Sequence, residues 1–214
     1  MPTLTFTASL ADTAQAYHTQ HGGPSNDNVR YDLNNGQVFR MYDMTNVYYY
    51  ASVLIFNVSG IVQGTTITSA YLKLYGGYTW GQNKITFSVS DASDPAMPVS
   101  ANFVLNHSNV LATKKNLATG AAWVNNVNDQ QNIAQYVLKD IEVTTMVNTL
   151  VASYDYTAAA NMLFMANVPQ PSPSGPPNQN VIWLGEGGGE ESYYPQLEIT
   201  YEGTLVDKTV YNFK

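Results

Sequence analysis

Tyr48-Tyr49-Tyr50-Ala51-Ser52-Val53-Leu54-Ile55-Phe56-Asn57-Val58 is the stretch that decides the fold. Its apolar residues occupy consecutive positions, so both faces of an extended chain here want burial, as in a central strand. Working outward, Ile67 to Tyr75 reads as a second strand, ended by Gly76-Gly77. Lys84 to Ser90 alternates, with Ile85, Phe87 and Val89 on one face and polar residues on the other. Gln196 to Glu202 repeats that pattern with Leu197, Ile199 and Tyr201 inward. Asn161 to Ala166 and Asn180 to Leu184 supply two more strands. Gly22-Gly23-Pro24, Asn34-Asn35-Gly36, Gly64, Asp94-Pro95 and Gly187-Gly188-Gly189 are the turn signals between strands. Helix is scarce: Thr144 to Val151 is the one candidate, with Met146, Val147, Leu150 and Val151 sharing a helical face. The expectation is an all-β jelly-roll sandwich with one short helix at most.

The chain of 214 residues suits one such domain over residues 1–203, followed by a C-terminal extension over 204–214. Only 12% of residues are charged, against a usual share near 25%. The surface owes its polarity instead to 21 Asn and to abundant Tyr, Thr, Ser and Gln. A net charge of −7 without a Lys/Arg stripe argues against nucleic acid. No cysteine is present, which excludes disulfides, a thiol nucleophile and thiolate metal sites. No apolar run reaches the length of a membrane span, so no membrane partner is expected. Met1 to Thr7 alternates polar and apolar residues where a secretory signal would carry a basic and then an apolar segment. It reads as a strand, in a protein not exported by a cleaved signal. Pro-rich 168–177 reads as a semi-rigid loop between two strands.

Three blocks stand in order. Ala51 to Ile61 leads through Gly64-x-x-Ile67-x-x-Ala70-x-Leu72-x-Leu74-Tyr75; Asp140 to Val147 comes next, and Glu190 to Tyr201 closes the set. With Ala11-Asp12-Thr13 near the start, this resembles the DNRLRE (disaggregatase-related) domain family, jelly-roll modules similar to carbohydrate-binding modules. The resemblance covers most of residues 3–202, although the six-letter motif that names the family is absent and Glu142 is inserted in the Asp140 block. Within the middle block Gly64 makes a hairpin turn. Ile67, Ala70, Leu72 and Leu74 fill the sandwich, where the small Ala70 admits a facing side chain.

The resemblance also implies a calcium ion pinning the first strand to the last, through Asp12 and Glu190 or Glu191. Hard cations want such carboxylates together with carbonyl oxygens. The competing reading has Asp12 capping a turn and both glutamates solvated. Asn126, Asn128 and Asp129 form a second oxygen-rich loop without an EF-hand pattern. His18-Thr19-Gln20-His21 sits beside Gly22-Gly23-Pro24, so the pair reads as exposed loop histidines rather than metal ligands; His107 stands alone.

Aromatic residues are the richest feature, because Tyr and Trp grip sugars and proteins alike. Tyr78, Trp80, Tyr193 and Tyr194 lie beside glycine-rich turns and are the candidate glycan or partner contacts, unless they only fill sandwich edges; Trp123 and Trp183 read as core. No nucleophile elbow, phosphate loop or dinucleotide fingerprint is present, and Glu186, Glu190 and Glu191 cluster in one loop rather than opposing each other. Catalysis is therefore not expected. The functional expectation is a non-enzymatic structural or binding protein: a virion surface subunit, such as a phage capsid decoration or fibre-associated protein, assembled in the host cytoplasm. Its partners would be its own subunits or capsid and tail proteins. The alternative is an extracellular carbohydrate-binding module or adhesin for polysaccharide, and a glycan-active enzyme comes third. In the extension, Leu205, Val206, Val210, Tyr211 and Phe213 suit a strand docked at a subunit interface, or one sealing the edge of its own sandwich.

Overall fold

The tyrosine-led stretch lies in a strand, β5 (Asn46–Asn57), with Ser52, Val53, Leu54, Ile55 and Phe56 all buried. In the computed structural model, residues 1–8, 13–21, 25–31, 35–43, 46–81, 86–90, 123–127, 138–152, 161–167, 178–183 and 193–203 are described. The other strands are β1 (Thr3–Thr7), β2 (Thr13–His21), β3 (Ser25–Tyr31), β4 (Asn35–Asp43), β6 (Ile67–Gly81), β7 (Thr86–Ser90) and β8 (Trp123–Val127). They continue with β9 (Leu138–Glu142), β10 (Asn161–Asn167), β11 (Asn178–Trp183) and β12 (Gln196–Tyr201). Among the described residues one short helix, α1 (Thr144–Val151), follows β9.

Among the described residues all pairings are antiparallel, in two sheets, and the fold is an all-β sandwich as expected. The first sheet runs β1-β12-β6-β9. The second is built around β5. There β2 runs along one edge from Asn46 to Leu54, so β4 (beside residues 46–50) and β10 (beside 52–57) share the other edge end to end. The second sheet extends through β3 beside β2, β11 beside β4, and β7 and β8 beyond β10.

Strand β6 belongs to both sheets. Its first part pairs with β12 and β9, and its last part pairs with β11 of the second sheet. Gly76-Gly77 therefore does not end the strand. Val181 faces Tyr78 and Ile182 faces Gly76, so Gly77 is the extra residue of a bulge, and the strand bends and continues. A second irregularity explains a parity problem in the same block. Tyr201 faces Ile67 while Thr200 faces Ser69, and the skipped Thr68 lets Ile67 and Ala70 both reach the core despite their odd spacing.

Ile67, Ala70, Leu72 and Leu74 are buried, as the sequence predicts, with Leu197, Ile199 and Tyr201 beside them on β12. On the other sheet Phe56 and Phe164 meet edge to face, with centroids 5.9 Å apart. Strand β7 departs from its pattern: Ser88 and Ser90 are buried along with Phe87 and Val89. Lying between β10 and β8, it has its backbone paired on both sides, and its small hydroxyls are buried rather than solvated. Asn35 and Gly36 likewise belong to β4 rather than to a turn.

Gly64 is a turn residue, but not of a hairpin, because β5 lies in the second sheet, the first part of β6 lies in the first sheet, and the two strands do not pair. Two successive turns make the crossing: Ile61 N–H donates to Val58 O at 3.2 Å, and Thr65 N–H to Val62 O at 3.1 Å. Gly60 (φ 97°) and Gly64 (φ 77°) take the third position of each, where positive φ favours glycine. The Asn57 side chain accepts from Ser59 N–H at 3.1 Å and starts the first turn.

Helix α1 lies where Thr144 to Val151 predicts it, with Met146, Val147, Leu150 and Val151 buried. It stands in for a strand beside the start of β6. Val143 N–H donates to Ala70 O at 2.8 Å, and Ala70 N–H donates to Thr144 Oγ1 at 2.8 Å. The Glu142 carboxylate accepts from Thr144 N–H at 3.0 Å, one of the amides that a helix start leaves unpaired.

Candidate binding face

With Leu72 and Leu74 inward, the intervening Tyr71, Lys73 and Tyr75 must line the outer face of the first sheet, and each is half-buried there. Register places Tyr71 between Glu142 of β9 and Glu198 of β12. It places Lys73 between Asp140 and Gln196, and Tyr75 opposite Leu138. Beyond β12, Thr3, Thr5 and Thr7 of β1 face Thr200, Glu198 and Gln196, and the Thr3 and Thr200 hydroxyls are 2.9 Å apart. The result is a shallow surface of tyrosine rings, hydroxyls, amides and a few charges.

Lys73 is its electrostatic centre. Its ammonium lies 3.3 Å and 3.4 Å from the two Asp140 oxygens and 3.5 Å from Glu198 Oε2. Burial by itself would lower the pKa of this ammonium, but the hydrogen bond and attraction to Asp140, helped by Glu198, outweigh it and raise the pKa. The lysine thereby ties β9 and β12 across β6. Tyr193 closes one end of the face: its ring meets Tyr75 edge to face at 5.0 Å, a geometry that fixes both rings. Tyr194 is half-buried, and the next residue, Pro195, accepts a 3.0 Å bond from Ala8 N–H. Such a surface can stack against a flat partner and exchange hydrogen bonds with it.

Of the aromatic candidates, Tyr193 thus joins a tyrosine pair. Tyr78 and Trp80 sit in the last part of β6, facing Val181 and Gln179 of β11, so their setting is a paired strand and not a glycine-rich turn. The reason is the bulge at Gly77, which keeps the strand going. Their side chains, with those of Trp123 and Trp183, lie outside the described residues. Tyr71, Lys73 and Tyr75 are not among the sequence candidates, which are aromatics beside glycines; their signal is the alternation around Leu72 and Leu74.

Asp12, Glu190 and Glu191 lie outside the described residues, as do Leu205, Val206, Val210, Tyr211 and Phe213. Among the described residues no group of three or more His, Asp or Glu side chains is gathered to hold a metal ion. His18 and His21 are not in a loop. They belong to β2, opposite Asp27 of β3 for His18 and opposite Tyr49 and Asn46 of β5. The nine-residue pairing with β5 keeps the backbone extended from Thr13 through His21. Asn126 is likewise in strand β8, while Asn128, Asp129 and His107 lie outside the described residues. Among the described residues no helix is long and apolar enough to cross a membrane. No family model matches the chain, and no curated protein matches it.

Proposed function

We propose that this protein is a non-enzymatic structural and binding module of a virion surface, and that the outer face of its first sheet meets the partner. One observation carries the binding reading: Tyr71, Lys73, Tyr75 and Tyr193 share one surface with Asp140, Glu198 and a row of threonines. Tyrosine-rich surfaces with few free charges are what protein partners bury. The chain's low charge and its wealth of Asn and Tyr support packing among other subunits. Kinship with the DNRLRE modules, assembly in a host cytoplasm, and docking of 204–214 at a subunit interface belong to the same proposal. Electron microscopy of native particles tests it, with Tyr71→Ala/Tyr75→Ala as the comparison. The folded double variant should fail to join the particle; normal incorporation removes the face from the assembly.

A second reading, a polysaccharide-binding module, is favoured by the Tyr75–Tyr193 pair, whose edge-to-face geometry holds rings ready to stack on a sugar. A glycan array separates the two readings. Binding that is lost in Tyr75→Ala selects the polysaccharide reading, and absence of any bound glycan rejects it.

A further inference from the structure

Among the described residues strand β1 is the edge of the first sheet, and its backbone has a definite parity. Tyr201 N–H donates to Pro2 O at 3.2 Å, and Ala8 N–H donates to Pro195 O at 3.0 Å. Even-numbered residues therefore bond to β12, which leaves the amides and carbonyls of Thr3, Thr5 and Thr7 directed to the opposite edge. Among the described residues β12 is the one strand paired with β1. Exposed strand edges are usually guarded by a charge, an internal proline or a bulge. Thr3–Thr7 has none of these, and Met1 to Ala8 contains no ionisable side chain.

We propose that this edge pairs with the same edge of a second copy of the chain, antiparallel about a two-fold axis at Thr5. The sequence Thr-Leu-Thr-Phe-Thr is what a self-complementary contact requires. A register centred on Thr5 pairs all three open positions, Thr5 with itself and Thr3 with Thr7 of the second copy, and any other centre leaves some unpaired. Threonine would meet threonine on the outer face, continuing the ladder that Thr3 and Thr200 begin. Leu4 and Phe6, packed against the core, would lie side by side with their counterparts beneath it. A protein with a net charge of −7 repels its own copies over most orientations, and this strip brings no like charges together. The two first sheets would become one continuous sheet.

The chain contains no cysteine, so a single introduced thiol reports the register directly. A hydrogen-bonded antiparallel pair holds its Cα atoms about 5.5 Å apart, within the span of a disulfide. In mild oxidant, full-length Thr5→Cys should form a covalent dimer, whereas Thr3→Cys, offset by four residues from its own copy, should not. Thr5→Pro removes only an outward amide, which an edge strand tolerates. It should sediment at half the wild-type mass with little change in melting temperature. A wild-type protein that sediments as a monomer throughout the concentration range overturns the proposal. So does a dimer in which Thr5→Cys fails to cross-link, or in which both thiol variants cross-link equally. The last two results would point to another face or another partner.

Discussion

The side-chain amide of Asn148 exchanges two hydrogen bonds with the backbone of Ile67: Nδ2 donates to the Ile67 carbonyl at 3.0 Å, and Oδ1 accepts from its N–H at 3.1 Å. A helical residue thus imitates the neighbouring strand that β6 lacks at this point. Neither partner is fully solvated, so the loss of one leaves the other's polar groups unpaired.

Asn148→Ala should therefore lower stability by about 1–3 kcal/mol. Asn148→Asp, which keeps the acceptor but loses the donor, should also destabilise. Urea unfolding of the three proteins checks this; an alanine variant as stable as wild type would show that water replaces the amide.

Gly64 has a φ of 77° and open space where a Cβ would go. Alanine there meets no atom, so its cost is conformational alone, about 1–2 kcal/mol. Asn, which tolerates the left-handed region better, should recover part of the loss. Thermal unfolding of Gly64→Ala and Gly64→Asn measures both values.

Lys73→Met should cost less than about 1 kcal/mol near neutral pH, because Asp140 is half exposed and water screens the pair. The raised pKa of Lys73 in the folded state sets the sign. Its stabilising effect is fully present below the ordinary lysine value of about 10.4 and is lost as pH rises through the folded value. The stability gap between wild type and variant should accordingly narrow above that pH, which paired denaturation curves would reveal.

If Asp12 and Glu190 or Glu191 hold calcium, the ion stabilises the folded chain by mass action, by about 2.7 kcal/mol at a hundredfold excess over Kd. Chelator should lower the melting temperature by several degrees, and added calcium should restore it. An unchanged curve with a metal-free elemental analysis dismisses the ion.

Much of the fold was legible where periodicity was clean. Leu197, Ile199 and Tyr201 alternate inward as read, and Met146, Val147, Leu150 and Val151 mark the helix to its ends. What escaped was set by pairing rather than by local pattern. Gly76-Gly77 and Gly22-Gly23-Pro24 look alike as punctuation, but a bulge against β11 carries the chain through the first pair. Ser88 and Ser90 look solvent-facing in sequence, yet both are buried in a strand that has neighbours on its two sides. The candidate face was legible in principle, since burying Leu72 and Leu74 forces Tyr71, Lys73 and Tyr75 outward. Tyr193 was not, because its partner Tyr75 lies 118 positions away in sequence and nothing local announces the contact.

Because one backbone, β6, runs from the first sheet into the second, displacing either layer pulls on a strand of the other. The sandwich should then open as one cooperative unit, with no half-open state in which one layer persists. Native-state hydrogen exchange would show it. The amides of Leu72 on the first-sheet part of the strand and Thr79 on the second-sheet part should become exchange-competent in the same event, with the same dependence on denaturant.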